Sequence, residues 1–267
     1  MKLEALFSHT FKAIRHQLGL DRHRDHRPLW QQTLRTDSVF CQALVAEGYL
    51  HQEQMLHAAY RYRLGRTRDG GVIFWQIDQH GVERDGKVMY YRPDCHRDHD
   101  HHPDWVSAIL RRQRLLPEDF ETEKCLFGLH LMSPSTLYHP LGVAASPCEE
   151  PSTKRVAIVE AEKTAVICSE LFRQYIWLAA GGLTMLTVNK LLPLRGRKIV
   201  LFPDTDPDGK AFACWSRIAE EASSLLHQNI YVSPILEDRA TPSQKARKID
   251  LVDFLFVTQI SQITQIF

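Results

Sequence analysis

Val156-Ala157-Ile158-Val159-Glu160-Ala161-Glu162-Lys163 and Ile199-Val200-Leu201-Phe202-Pro203-Asp204-Thr205-Asp206-Pro207-Asp208-Gly209 are the two segments on which the fold of this chain turns. Each is a short apolar run, rich in β-branched residues, that stops at carboxylates. Runs of this length with such flanks are expected as buried strands rather than helices. If both are parallel strands of one sheet, their carboxyl ends lie side by side, where open α/β folds place ligand sites. That arrangement makes an acidic pocket.

Working outward, the chain after Val156 alternates strand and helix, the pattern of a parallel sheet covered by helices. Ala165, Cys168, Phe172 and Tyr175 mark one face of a helix after the first strand, and Ile176-Trp177-Leu178-Ala179 is the second strand, ended by Gly181-Gly182. A second helix is expected over 183–191. After the third strand, Ile199 to Phe202, a helix begins past Gly209 with Phe212, Trp215, Ala219 and Ala222 on its inner face. A fourth strand near Asn229-Ile230-Tyr231-Val232 completes a four-stranded unit, and Asp250 and Asp253 add acids close to an apolar pattern behind it. About a hundred residues suffice for such a domain.

The first half has a different texture. Apolar residues at spacings of three and four predict a helix over 2–20, and further helices are expected over 37–48 and 52–62. Val72-Ile73-Phe74-Trp75-Gln76-Ile77 and Lys87-Val88-Met89-Tyr90-Tyr91-Arg92 read as an antiparallel hairpin joined by a turn over 78–86, with Lys87 and Arg92 at its ends. The tract 93–102 holds four histidines among carboxylates. Such a tract can ligate a transition metal, but with no second ligand cluster at finger-like spacing it reads first as a solvated loop. A helix over 105–115 ends in Arg111, Arg112 and Arg114, which either touch phosphates or face water. Cys125 to Leu131 is expected as a short buried strand. Four prolines within 133–153 mark a connector between domains.

Bulk composition excludes more than it assigns. The 267 residues carry a formal charge of +1, with a pI near 7.7, so bulk charge alone does not make this a nucleic-acid binder, although a local basic face remains open. Six widely spaced cysteines with no C-x-x-C pair suggest neither a zinc ribbon nor a disulfide framework, and read as reduced thiols. With no signal-peptide pattern at the start and no long apolar run, a cytoplasmic protein is expected.

The acids carry the chemistry. Asp204 and Asp206 stand two apart just after a strand, Asp208 follows, and Glu160 ends the neighbouring strand. Carboxylates packed together raise one another's pKa unless a hard cation neutralises them. Magnesium suits such a site because it prefers oxygen ligands and keeps several waters for phosphate chemistry. In that arrangement Glu160 is the general acid or base, Asp204 and Asp206 are metal ligands, and Lys163 and Lys210 steer phosphates or pair with the acids. Taken singly, the aspartate loop is an ordinary turn and Glu160 to Lys163 a helix start; their joint occurrence at the ends of two strands favours a functional site.

Val159-Glu160-Ala161-Glu162-Lys163-Thr164-Ala165 resembles the glutamate motif of Toprim domains, and Phe202 to Lys210 resembles their Asp-x-Asp motif. Ala179-Ala180-Gly181-Gly182 is similar to the glycine turn after the second Toprim strand. Ala161 stands where the family often has glycine. The hairpin ahead of the module resembles the small lobe of bacterial primase catalytic cores and of uncharacterised Toprim proteins of plasmids and mobile elements, without the cysteine zinc finger such proteins often carry.

The resemblance implies an α/β Toprim-type four-stranded parallel sheet flanked by helices over 154–256. It is preceded by a smaller α+β primase-like lobe over 1–132 and a linker over 133–153, and followed by a tail over 257–267. It implies a metal-dependent enzyme of DNA replication, most simply a DNA primase-like nucleotidyltransferase on single-stranded DNA, with Glu160, Asp204 and Asp206 catalytic. Mg2+, with Mn2+ as substitute, would be held by Glu160, Asp204, Asp206 and Asp208. Lys163, Lys210, Gly181 and Gly182 would face substrate, and Lys87, Arg92, Arg111 and Arg112 nucleic acid. Single-stranded DNA and nucleoside triphosphates are the expected partners, with a replicative helicase as a further candidate. The alternatives are a Toprim nuclease cleaving phosphodiesters and a non-catalytic nucleic-acid-binding accessory protein.

Overall fold

In the computed structural model of the chain, residues 27–133 and 154–257 are described. The helix expected over 2–20, the connector over 133–153 apart from its first residue, and the tail beyond 257 lie outside the described residues. Two compact units divide the chain, residues 1–148 and 149–267.

β-Branched and aromatic residues build the sheet of the first unit. Strands β1 (Gly65–Arg66), β2 (Val72–Ile77), β3 (Glu83–Met89) and β4 (Asp104–Trp105) form an antiparallel sheet in the order β1-β2-β3-β4. Every residue of β2 is buried. One face, carrying Ile73, Trp75, Ile77 and Val88, packs on Leu29 of helix α1 (Leu29–Thr33) and on Val106, Ile109 and Leu110 of helix α4 (Val106–Arg112). Phe74, on the opposite face, meets Phe40 and Phe127 edge-on. Phe40 belongs to helix α2 (Val39–Ala46), where Ser38 caps the amino end by accepting from the Cys41 amide, and helix α3 (Gln52–Arg61) follows.

The hairpin departs from expectation at its second strand. β3 begins at Glu83 rather than Lys87, so Lys87 lies inside the strand opposite Phe74. The charged run 83–85 looks like a turn in sequence, but its carboxylates are buried on partners. Asp85 accepts from the amides of Gly86 and Ser107 and from the Ser107 hydroxyl. Glu83 accepts from the amides of Leu29 and Trp30. The segment 125–131 is not a strand of the sheet; it leads into a 3-10 turn over Leu129–Met132 behind Gly128, whose φ is +83°.

The second unit carries the expected parallel sheet. Strands β5 (Arg155–Val159), β6 (Tyr175–Ala179), β7 (Ile199–Phe202) and β8 (Ile230–Val232) are ordered β6-β5-β7-β8, every neighbour parallel. Helix α5 (Glu162–Leu171) joins β5 to β6 and is buried over most of its surface. The helix expected over 183–191 is broken. A 3-10 turn at Leu183–Met185 gives way to helix α6 (Val188–Leu191), capped by Thr187, and Pro193 turns the chain into a second 3-10 segment, Leu192–Leu194. Helix α7 (Lys210–Leu226) buries Ala211, Trp215, Ala219, Ala222 and Leu226, with Phe212 half-buried beside that stripe. Short helices α8 (Ile235–Arg239) and α9 (Pro242–Ala246) lead to α10 (Leu251–Val257). The unit is thus an α/β layer with a four-stranded parallel sheet flanked by helices. No helix among the described residues is long and apolar enough to cross a membrane.

Candidate active site

Parallel pairing of β5 with β7 aligns Val159 with Phe202, and pairing with β6 aligns Val159 with Ala179. The residues that follow these strand ends therefore meet. Glu160 Oε1 accepts from the Asp204 amide at 3.1 Å, and the Glu160 carbonyl accepts from the Gly181 amide at 2.9 Å. Gly181 and Gly182 have φ of +96° and +147°, a conformation that residues with a Cβ avoid, so the glycine pair is what turns the chain beside Glu160.

Glu160 is 8 % exposed, and its pKa is raised by burial, with the charges of Asp206 and Asp250 adding to the effect against the Asp204 amide. Asp204 is pushed well above the usual carboxylate range, first by burial and then by Glu160, Asp250 and Asp253; Lys163, in the first turn of α5, acts against this. Its carboxylate accepts no hydrogen bond among the described residues. Burial and neighbouring charge thus disfavour ionisation of both acids, a cost that a cation at this site would offset.

Asp206 is held differently. Its Oδ1 accepts from the amides of Asp208 at 2.9 Å and Lys210 at 3.2 Å, and its Oδ2 from the Ala211 amide at 2.7 Å. Burial raises its pKa, but these three donors together overcome that and leave it below the usual value. Three of a carboxylate's roughly four acceptor positions are occupied, so Asp206 caps the start of α7 and fixes the loop. Asp208 is exposed and pairs with Lys210 at 2.6 Å, which ties the expected phosphate-steering lysine to its neighbour.

Two groups that sequence left open or passed over complete the acidic end. Asp250, at the start of α10, accepts from the Thr164 hydroxyl of α5 at 2.6 Å and from the Asp253 amide at 2.8 Å. Thr205 donates its amide to the Ile249 carbonyl at 3.2 Å, and its buried hydroxyl has no partner among the described residues. No local pattern in the sequence announces Thr164, whose partner lies 86 residues away. Among the described residues no group of three or more His, Cys, Asp or Glu forms a ready metal cage.

Arg92 pairs with Asp94 at 3.0 Å, and Arg112 pairs with Asp104, so both are engaged by acids of their own unit. Lys87 and Arg111 lie close enough to Lys124 for their charges to act on it, and the Lys124 ammonium sits 3.2 Å from the ring centroid of Trp105. Burial, more than these charges, lowers the Lys124 pKa, and Asp85 at 3.7 Å opposes it. Basic groups around an aromatic ring make the sort of surface on which phosphates and bases settle.

Among the described residues the histidine tract joins no group of three or more His, Cys, Asp or Glu. His101 stacks on Tyr90 at 4.5 Å and is held by Asp98 at 2.7 Å, beside a pocket of about 210 Å3 with Asp69, Asp100, His102 and Asp104 on its walls.

Residues 38–205 match the family described as a domain of unknown function, DUF6371. The chain belongs to that family. The matched region is well over half of the chain; it begins at Ser38, the cap of α2, and ends at Thr205, so it contains both Glu160 and Asp204. No curated protein matches the chain.

Proposed function

We propose that this member of DUF6371 is a Toprim-type, divalent-cation-dependent enzyme that performs primase-like nucleotidyl transfer on single-stranded DNA. The observation that carries the proposal is the meeting of Glu160 and Asp204 at the carboxyl ends of adjacent parallel strands, where burial raises both pKa values and the charge of Glu160 adds to the effect at Asp204. Mg2+ fits this donor set, because it binds through one or two carboxylates and keeps its remaining waters, so a full protein cage is not needed. Glu160 and Asp204 would hold it, with Asp206 keeping their loop in place and Asp208 outside at the surface. The ion supplies charge neutralisation at a phosphoryl group.

The chain's own residues supply the rest. Glu160 Oε1 is held by the Asp204 amide, and its other oxygen is the one that takes the proton of the attacking hydroxyl as the new P–O bond forms and pyrophosphate leaves. Lys163 offsets negative charge at the same strand ends, and the turn at Gly181-Gly182 lets backbone approach substrate. Lys87 and Arg111, around Lys124 and Trp105, are the residues offered to nucleic acid. The enzyme acts in the cytoplasm, with a replicative helicase as a candidate partner.

The deciding experiment incubates purified protein with single-stranded DNA, nucleoside triphosphates and Mg2+. Oligonucleotide synthesis that disappears in Asp204→Ala supports the proposal. DNA degradation without incorporation replaces it with the nuclease reading, and DNA binding indifferent to Mg2+ and to both acids replaces it with a non-catalytic accessory role.

A further inference from the structure

Asp250 is buried at 7 % exposure, yet it has no place among the residues that would meet substrate. Its Oδ2 accepts from the Thr164 hydroxyl at 2.6 Å and its Oδ1 from the Asp253 amide at 2.8 Å; its own amide points at Asp253 Oδ2, 3.4 Å away. One residue earlier, the Ile249 carbonyl accepts from the amide of Thr205, the residue between Asp204 and Asp206. The turn 249–253 is thus tied on one side to α5, four residues after Glu160, and on the other to the aspartate loop.

We propose that Asp250 is a positioning residue for Glu160 and Asp204, clamping the aspartate loop to α5 through Thr164 and Ile249. The proposal rests on the reading of Glu160 and Asp204 as a cation site. One donor on each oxygen fixes the Asp250 carboxylate in place, and in this proposal it contributes geometry and negative charge. Its charge raises the pKa of both acids, as does Asp253 for Asp204, while Lys163 is the basic group acting against the shift at Asp204. Thr205, bonded to Ile249, is the neighbour of Asp204, so placing Asp204 for a cation and closing the clamp are coupled.

The test follows thermal unfolding across a MgCl2 titration, together with amide hydrogen exchange over 249–257, in the whole chain. Wild type, Asp250→Asn, Thr164→Val and Thr164→Ser are compared. The single oxygen of asparagine still caps the helix by accepting from the Asp253 amide, and its NH2 donates to the Thr164 hydroxyl in place of accepting from it, so Asp250→Asn removes the charge while keeping a bond to α5. The Mg2+ midpoint is expected to rise at least about fivefold in Asp250→Asn and in Thr164→Val, an effect of about 1 kcal/mol. Exchange over 249–257 is expected to accelerate in Thr164→Val and to return to the wild-type rate in Thr164→Ser.

A merely structural Asp250 would lower stability equally with and without Mg2+. Wild-type midpoints in both variants, with wild type itself responding to Mg2+, overturn the clamp and leave the cation site standing. A wild type that does not respond to Mg2+ overturns the cation reading, and the clamp with it.

Discussion

The backbone amide of Asp204 donates to the carboxylate of Glu160 at 3.1 Å, joining two residues 44 positions apart across the seam of β5 and β7. The bond holds one oxygen of Glu160 in the seam and keeps the Asp204 carboxylate near it. Two acids that repel are therefore held together by backbone geometry, which is how a fold stores charge for chemistry at the expense of stability.

Glu160→Gln is expected to remove nucleotide incorporation while raising the metal-free unfolding free energy on the order of 1 kcal/mol, because repulsion with Asp204 ends and the glutamine oxygen still accepts from the amide. Chemical denaturation without metal, alongside the incorporation assay, checks both halves. A less stable and fully active variant would contradict the assignment.

Asp206→Ala has the opposite sign. Losing three amide partners at the start of α7 is expected to cost about 1–2 kcal/mol, read as a lower denaturation midpoint. Comparison with Glu160→Gln separates a cap from a strained acid within one loop.

The acids also set a pH response. Glu160 and Asp204 have folded pKa values above their unfolded ones, so their contribution to stability is fully present below the ordinary carboxylate pKa of about 4 and is lost as pH rises through the raised values. Asp206, lowered, contributes above its unfolded pKa and loses that only below it. Between pH 4 and neutrality, Asp204→Asn is therefore expected to gain stability over wild type as pH rises. A difference that stays flat across that window would sink the idea.

His130 titrates in the contrary sense within the first unit. It is fully buried, with Nε2 3.0 Å from the Arg61 carbonyl, and burial first, with Arg63 and Arg61 adding, lowers its pKa to about 3 against the carbonyl's opposing pull. Its neutral form stabilises the fold above its ordinary pKa near 6.5, and that contribution declines as pH falls from there toward 3. NMR titration of the imidazole is expected to show no protonation before the unit unfolds in acid.

Core packing gives a further check at Gly86. A Cβ there would lie 2.9 Å from Ile73 Cγ2 and from Val106 Cγ2 and 3.0 Å from Trp75 Cε3, so Gly86→Ala is expected to destabilise by about 1–3 kcal/mol through overpacking. Thermal unfolding measures it, and an unchanged midpoint would show that β3 and α4 yield at little cost.

The parallel sheet was legible because its strands are continuous apolar runs and its longest helix keeps a 3.6-residue stripe; local pattern alone specifies such elements. Glu160 and Asp204 were legible for the same reason, since each marks the end of one of those runs. What hid was everything that depends on a distant partner. Glu83 and Asp85 read as a turn because their charge is seen in sequence while Ser107, Leu29 and Trp30, which satisfy them, are not. The break in 183–194 follows from the Thr187 cap and Pro193, which outweigh an apolar spacing suited to one helix.

By itself, then, the sequence determined the strands of the parallel sheet and that acids stand at the ends of two of them, because period and composition act over a few neighbouring positions. Only the tertiary structure divided the work among those acids: Glu160 and Asp204 strained together, Asp206 on three amides, Asp250 on Thr164. The physical reason is that a carboxylate's behaviour depends on the donors and charges within a few ångströms of it, and in this chain those are supplied from as far as 86 residues away.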